Sequence, residues 1–253
     1  MKNWRPGLSI IAVLAAGSPS YAAFVVAGEF QTEQGDPADW DPTNSSLVMS
    51  DLGGGIHQVA ANNLVLNTPY DFKVVDDEGN PPAEWGNPEI TPNQLTVWGD
   101  ADGSITITVD TNVINNIGQP ATWINFDDGP LQVVGDFMDE AGGVADWNPA
   151  DPNFLMTAQG NGFYTFDAVI GTPGIYQFKA TFGNGWDDQV GTEGFSNNAI
   201  TKGFETFVPD QALVMFVDLT NRELGVIPVP EPVSLALVGL GGAAMLGRSR
   251  RND

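Results

Sequence analysis

A stretch that occurs twice constrains this chain more than any other feature. Gly28-Glu29-Phe30, eight residues, then Asp39-Trp40-Asp41-Pro42 returns 107 residues later as Gly135-Asp136-Phe137, eight residues, and Asp146-Trp147-Asn148-Pro149. Between 28–50 and 135–157, nine of 23 ungapped positions are identical, a tryptophan among them. Composition does not supply that by chance, so the chain carries two copies of one unit. Further on, Gly55–Val59 faces Gly162–Phe166 at the same offset. One residue is then lost, and Tyr70-Asp71-Phe72-Lys73 faces Tyr176-Gln177-Phe178-Lys179 at an offset of 106.

The unit reads as all-β. Phe24–Gly28 and Leu131–Gly135 are opening strands, and Gly162–Val169 alternates apolar with polar residues at several positions. Ser104–Asp110 matches Leu213–Asp218 as a later strand, and Trp123–Phe126 and Leu224–Ile227 close the copies. Helical periodicity is absent outside the terminal segments. Short strands punctuated by 30 Gly and 18 Pro point to antiparallel β-sandwiches, one at 24–127 and one at 131–228. With 253 residues, each copy is long enough to bury its own core. The joint Asp128-Gly129-Pro130 is too short for a free tether, which predicts a restricted mutual orientation.

Charge narrows the partner. Between residues 24 and 230 only Lys73, Lys179, Lys202 and Arg222 are basic, against 30 acidic side chains, a net charge of −26. Such a surface repels phosphate backbones and anionic membranes, which excludes nucleic acid as a partner. Without Cys there is neither disulfide nor thiolate chemistry. A neutral partner is the natural one, and no cofactor is implied.

The two ends read as addresses. Lys2 and Arg5 precede the apolar run Leu8–Ala16 and the small residues Ser20 and Ala22, the pattern of a secretory signal peptide over 1–22. At the other end, over 229–253, Pro230-Glu231-Pro232 is followed by the uncharged run Val233–Gly247 and by Arg248, Arg250 and Arg251. Fifteen residues of helix reach about 22 Å, less than the roughly 30 Å hydrocarbon core, so a short transmembrane helix there needs its flanks or a thinned bilayer. The arginines would stay in the cytoplasm. This tail resembles the PEP-CTERM sorting signal of Gram-negative bacteria. That resemblance implies export, transient anchoring in the inner membrane, processing by an exosortase, and release to the cell surface or extracellular polysaccharide.

Each copy also holds Gly-acid-Phe, Asp-Trp, Tyr-x-Phe-Lys, a further Trp and an Asn, in that order. The candidates are Trp40, Lys73, Trp85 and Asn93 in the first copy and Trp147, Lys179, Trp186 and Asn198 in the second. An indole face stacks on the C–H patch of a pyranose, while for ring hydroxyls Lys supplies donors only and Asn both donors and an acceptor. Trp186, in the polar loop Asn184–Asp188, is expected as the platform, with Lys179 and Asn198 as hydroxyl partners and Trp147 as a second wall. A second reading makes Trp40 and Trp147 caps of the core, and Lys73 and Lys179 strand lysines neutralised by neighbouring carboxylates. Trp98 and Trp123 lack partners in the second copy and are read as packing.

These motifs resemble the α-glucan-binding modules appended to pullulanases and, more distantly, the glycogen-binding domain of AMP-activated kinase. The second copy fits better, with Asn184-Gly185-Trp186-Asp187-Asp188-Gln189-Val190-Gly191; Ala83-Glu84-Trp85-Gly86-Asn87-Pro88 loses that loop pattern. The resemblance implies immunoglobulin-like sandwiches and binding of a neutral α-glucan or exopolysaccharide without catalysis. The alternative is a structural matrix or adhesion protein that keeps the fold and binds no glycan.

The remaining chemistry-bearing residues are read as structural. Asp76–Gly79, Asp100–Gly103 and Asp127–Gly129 are acidic turns that continue into no Ca²⁺-binding loop. His57 is the sole His, so a Ser-His triad or a Zn site would rest on it alone. No pair of carboxylates stands out for glycoside hydrolysis.

Overall fold

The computed structural model describes residues 24–66, 68–76, 83–85, 95–98, 103–115, 118–126, 129–183, 185–186, 188–196 and 198–230. The signal-peptide expectation and the tail beyond Pro230 lie outside them, as do Asn93, Asp100, Asp102, Asp127 and Asp128.

Among the described residues the chain is all-β, with short 3-10 turns and no α-helix. The first copy contributes β1 (Phe24–Gly28), β2 (Ser50–Gly53), β3 (Ile56–Ala61), β4 (Pro69–Asp76), β5 (Ala83–Trp85), β6 (Leu95–Trp98), β7 (Ile105–Ile114) and β8 (Pro120–Asn125). The second contributes β9 (Leu131–Gly135), β10 (Thr157–Gly160), β11 (Phe163–Ile170), β12 (Gly174–Phe182), β13 (Gln189–Gly191), β14 (Gly194–Ser196), β15 (Lys202–Thr206), β16 (Gln211–Asp218) and β17 (Glu223–Pro228). All pairings among the described residues are antiparallel.

Register shows the repeat at atomic level. In the first copy Ala27 pairs with Lys73 and Gly28 with Phe72; in the second Val134 pairs with Lys179 and Gly135 with Phe178. Ile56 pairs with Asp110 as Phe163 pairs with Asp218. In each copy one sheet is built on β4 or β12 and the other on β3–β7 or β11–β16. Tyr70, Phe72 and Val74 on β4, and Tyr176, Phe178 and Ala180 on β12, alternate into the core at two-residue spacing. Leu213, Met215 and Val217 line it from β16.

The repeated Gly-x-Phe…Asp-Trp segment is a loop lying beside the opening strand. Phe30 and Phe137 are fully buried, and each anchors its loop in the core. The Asp39 carboxylate accepts from the Thr32 amide at 2.8 Å, and Asp146 accepts from Asp139 N–H at 3.2 Å. Trp40 and Trp147 follow with φ of 60° and 53°, a left-handed conformation uncommon for bulky residues. Each is held there by its own amide, which donates to the carbonyl of Gly28 or Gly135. A side chain at Gly28 would meet Asp71 O and Phe72 Cβ at 2.6 Å, which explains why both copies carry glycine at the end of the opening strand.

The two copies share structure, beyond the restricted orientation that the short joint predicts. A nine-stranded sheet runs β15-β12-β13-β14-β8-β7-β3-β2, with β9 also on β12, and so passes through both. The junction is the pairing of Phe195 on β14 with Thr122 on β8. Gly194, the first residue of β14 (φ +96°), makes that approach possible: a Cβ there would lie 2.5 Å from Thr122 O and 3.1 Å from Trp123 Nε1. Buried Trp123 is thus packing, placed against the second copy. Phe126 contacts Tyr164, Phe182 and Phe195 at ring-centroid distances of 5.7, 4.7 and 6.3 Å, and one continuous cluster of buried apolar residues runs through both copies. An Arg222–Asp110 ion pair of 3.1 Å and an Asn125–Thr220 hydrogen bond of 3.1 Å close the rim.

Candidate carbohydrate-binding surface

The site grows from one residue of β12. Phe178 and Ala180 face the core, so Lys179 between them stands on the outer face of the sheet. There it is nevertheless 9% exposed, because two indoles flank it. Its Nζ lies 5.9 Å from the centroid of Trp147 and 5.4 Å from that of Trp186. Trp147 comes from the left-handed turn after Asp146, and Trp186 from the loop between β12 and β13. A cation within about 6 Å of an indole face is attracted by the ring quadrupole. The ammonium also donates to Ala199 O at 3.4 Å. Desolvation lowers its pKa from the ordinary lysine value, partly offset by the negative charge of Glu193.

Trp186 is 39% exposed and is the most open of this group of aromatic side chains. Its carbonyl accepts from Gln189 Nε2 at 2.6 Å, which ties the loop to the first residue of β13. Trp147 is half-buried and also packs on the core, so the two readings of this residue hold together: it caps the core and walls the site. Asn198 is exposed, its amide donating to Ser196 Oγ at 3.3 Å, and it precedes the residue whose carbonyl Lys179 engages. Trp147, Lys179, Trp186 and the 198–199 segment thus gather on one outer face of the second copy.

In the first copy the described motif residues, Trp40, Lys73 and Trp85, have other partners. Lys73 forms a 2.8 Å ion pair with Glu84, the neutralised strand lysine of the second reading. Trp85 pairs with Val74, whereas the counterpart of Val74, Ala180, pairs with Val190. Trp85 therefore occupies the rung of buried Val190 and is no counterpart of Trp186. Its ring packs on Phe24 at 4.8 Å, with His57 on the other side of the contact chain, 4.4 Å from Phe24. The sequence alignment of Trp85 with Trp186 is corrected on that ground: the stretch after Lys73 differs in length and register. Trp40 remains half-buried in its turn, and Asn93 lies outside the described residues.

Among the described residues, one group of acidic side chains, Asp139, Glu140 and Asp146, has ligand atoms all within 4.8 Å of one another. Sequence reading did not single it out, since its members belong to the repeated loop. Asp139 and Glu140 share a hydrogen bond, which lowers the pKa of Asp139 and raises that of Glu140; burial raises that of Asp146.

These features define an all-β chain whose second copy gathers two indoles around one lysine on an outer sheet face. Residues 131–213 match the family model of the pullulanase X25 domain. The chain is 27% identical over 196 residues to an amylopullulanase of Thermoanaerobacterium thermosulfurigenes, covering 74% of this chain and 10% of that protein. It is 26% identical over 196 residues to an amylopullulanase of Thermoanaerobacterium saccharolyticum, covering 74% of this chain and 14% of the relative. A similarity to the solved pullulanase from Bacillus acidopullulyticus has a TM-score of 0.30 and 11% identity, over 83% of this chain and 31% of that one. The chain spans a small fraction of the length of these relatives.

Proposed function

We propose that the chain is an exported, non-catalytic carbohydrate-binding protein for a neutral α-glucan. It is built of immunoglobulin-like modules at 24–127 and 131–228, with the binding surface on the second. Trp186 serves as the platform for a sugar ring, Trp147 as its second wall, and Lys179 and Asn198 as partners for hydroxyls. One observation carries this reading: two indoles flank a single ammonium on an outer sheet face, inside the stretch that matches a pullulanase domain. The acidic surface fits a partner without charge. A lone site of this kind binds with a Kd of about micromolar to millimolar. The test is retardation in affinity gels containing soluble starch or glycogen; unchanged mobility of the intact chain would sink the glycan reading. Reducing-sugar release from the same glucans tests the absence of catalysis.

For the first module a non-binding, structural role is the better reading, because Lys73 is paired with Glu84 and Trp85 faces the core. Export rests on the basic-apolar start at 1–22 and on Pro230-Glu231-Pro232 with the apolar run and Arg248, Arg250 and Arg251 behind it. In this reading an exosortase processes the tail after transient anchoring in the inner membrane. Cell fractionation with an epitope inserted before residue 229 checks it: recovery of the protein in the cytosol would exclude export.

A further inference from the structure

The loop that carries Trp186 is tied to the first copy and to the joint between the copies as well as to its own. At its start the Gly183 amide donates to Pro130 O at 3.2 Å. At its end the Phe182 amide donates to Asp188 O at 2.9 Å, closing the loop on itself, while Asp188 Oδ1 accepts from Thr96 N–H on β6 at 3.4 Å. Asp188 is buried at this junction. Directly after it, β13 and β14 form the hairpin whose Phe195 pairs with Thr122 of β8. Beneath the loop, Phe182 stands edge-on to Phe126 of the first copy. The strand β6 that carries Thr96 pairs with Phe72 of β4 as β15 pairs with Phe178 of β12, which makes it the counterpart of β15.

From these contacts we infer that the first copy is a holder for the second copy's sugar platform, and that Thr96 and Asp188 are positioning residues for Trp186. The inference rests on the glucan-binding reading for its function, but the clamp itself is a property of the free protein. A platform fixed before the ligand arrives loses less conformational freedom on binding, which strengthens affinity without adding a contact. The first copy thereby acquires a use although its own Lys73 and Trp85 are engaged in pairing and packing. The functional unit becomes the pair of copies rather than either sandwich alone.

Two measurements on the full-length protein test this, and they separate the clamp from the sugar. Thr96→Pro deletes the donor N–H from an edge strand while leaving the second copy untouched; Thr96→Val, which removes only the hydroxyl, is its reference. Asp188→Ala removes the acceptor from the other side. In the absence of sugar, amide hydrogen exchange of the peptide carrying Trp186 is expected to be about tenfold faster in Thr96→Pro than in Thr96→Val, and faster again than wild type in Asp188→Ala. Maltoheptaose affinity, by calorimetry, is expected to fall about three- to tenfold in both loosened variants. Unchanged exchange in Thr96→Pro and in Asp188→Ala would overturn the clamp, whatever the sugar data show. Faster exchange with no maltoheptaose binding by the wild type would uphold the clamp and overturn the glucan reading instead.

Discussion

The ring of Phe126 stands at 86° to that of Phe182, with 4.7 Å between centroids, and the two residues belong to different copies of the repeat. Phe126 is 2% exposed, and its carbonyl accepts from the Tyr164 hydroxyl of the second copy at 3.0 Å. Truncating a buried aromatic of this kind costs about 3–5 kcal/mol. Here the loss falls on the seam between the copies. Phe126→Ala is therefore expected to lower stability by that amount and to split one unfolding transition into two, as read by calorimetry. Tyr164→Phe removes only the hydroxyl and leaves the Phe126 carbonyl without it, for about 1–3 kcal/mol. A single sharp transition in Phe126→Ala at the wild-type midpoint would show that the seam contributes nothing.

Trp186 offers the converse case, a large side chain whose removal spares the core. Its ring is 39% exposed and rests over the Lys179 ammonium, so Trp186→Ala is expected to leave the thermal midpoint within about 2 °C of wild type. Glucan affinity should fall at least about tenfold, the loss expected for an aromatic anchor worth more than 1 kcal/mol. Trp147→Ala should lose both, because that ring packs on the core as well as beside Lys179. Starch-gel retardation and a urea melt on the two variants distinguish the roles. Equal retardation of Trp186→Ala and wild type would remove Trp186 from the site.

The repeat itself made much of the fold legible in the sequence. The offset of 107, dropping to 106 before the Tyr-x-Phe-Lys segment, reappears in the pairing of Ala27 with Lys73 and Val134 with Lys179. Two-residue alternation marked β11, where buried Tyr164, Ala168 and Ile170 are separated by more exposed residues. The positive φ of Trp40 and Trp147 was not legible, since nothing in Asp-Trp-x-Pro announces an amide turned back onto the opening strand. Nor was the burial of Lys179. A lysine on an outward position reads as solvated, and only the arrival of two indoles from distant loops removes water from it. The seam was hidden for a related reason: pairing of β14 with β8 depends on contacts 73 positions apart between Phe195 and Thr122. Trp85 misled because a sequence alignment counts residues along a loop, whereas the sheet fixes which rung a residue occupies.

That difference of rung gives the first copy its own expectation. Trp85 is half-buried against Phe24, so Trp85→Ala is expected to destabilise the protein by about 2–4 kcal/mol. It should leave starch retardation unchanged at temperatures where the protein stays folded. Glu84→Gln breaks the ion pair with Lys73, whose Glu84 side is 46% exposed; solvent screening limits the cost to about 1 kcal/mol or less. Denaturant unfolding and affinity electrophoresis measure both. Loss of retardation in Trp85→Ala without loss of stability would assign the first copy a sugar site after all.

Lys179 makes the protein's stability depend on alkaline pH in a direction that can be worked out. Burial disfavours its charged form, so its pKa in the folded protein lies below the ordinary value of 10.5. Between those two values the unfolded chain holds more protons than the folded one, and stability must rise with pH across that window. Below the lowered value the full penalty of the buried ammonium is present, and the ring and carbonyl contacts offset part of it. Lys179→Met keeps the apolar stem between Trp147 and Trp186 and removes the charge. Its stability advantage over wild type is expected to be largest near pH 7 and to shrink steadily toward pH 10.5, read as the difference between two series of urea melts. Tyr176, whose pKa is raised by burial and by Glu140, pulls the other way at high pH, but it is present in both proteins and cancels in the difference. A difference that stays constant across the window would mean that Lys179 feels no desolvation, and that water reaches the space between the two indoles.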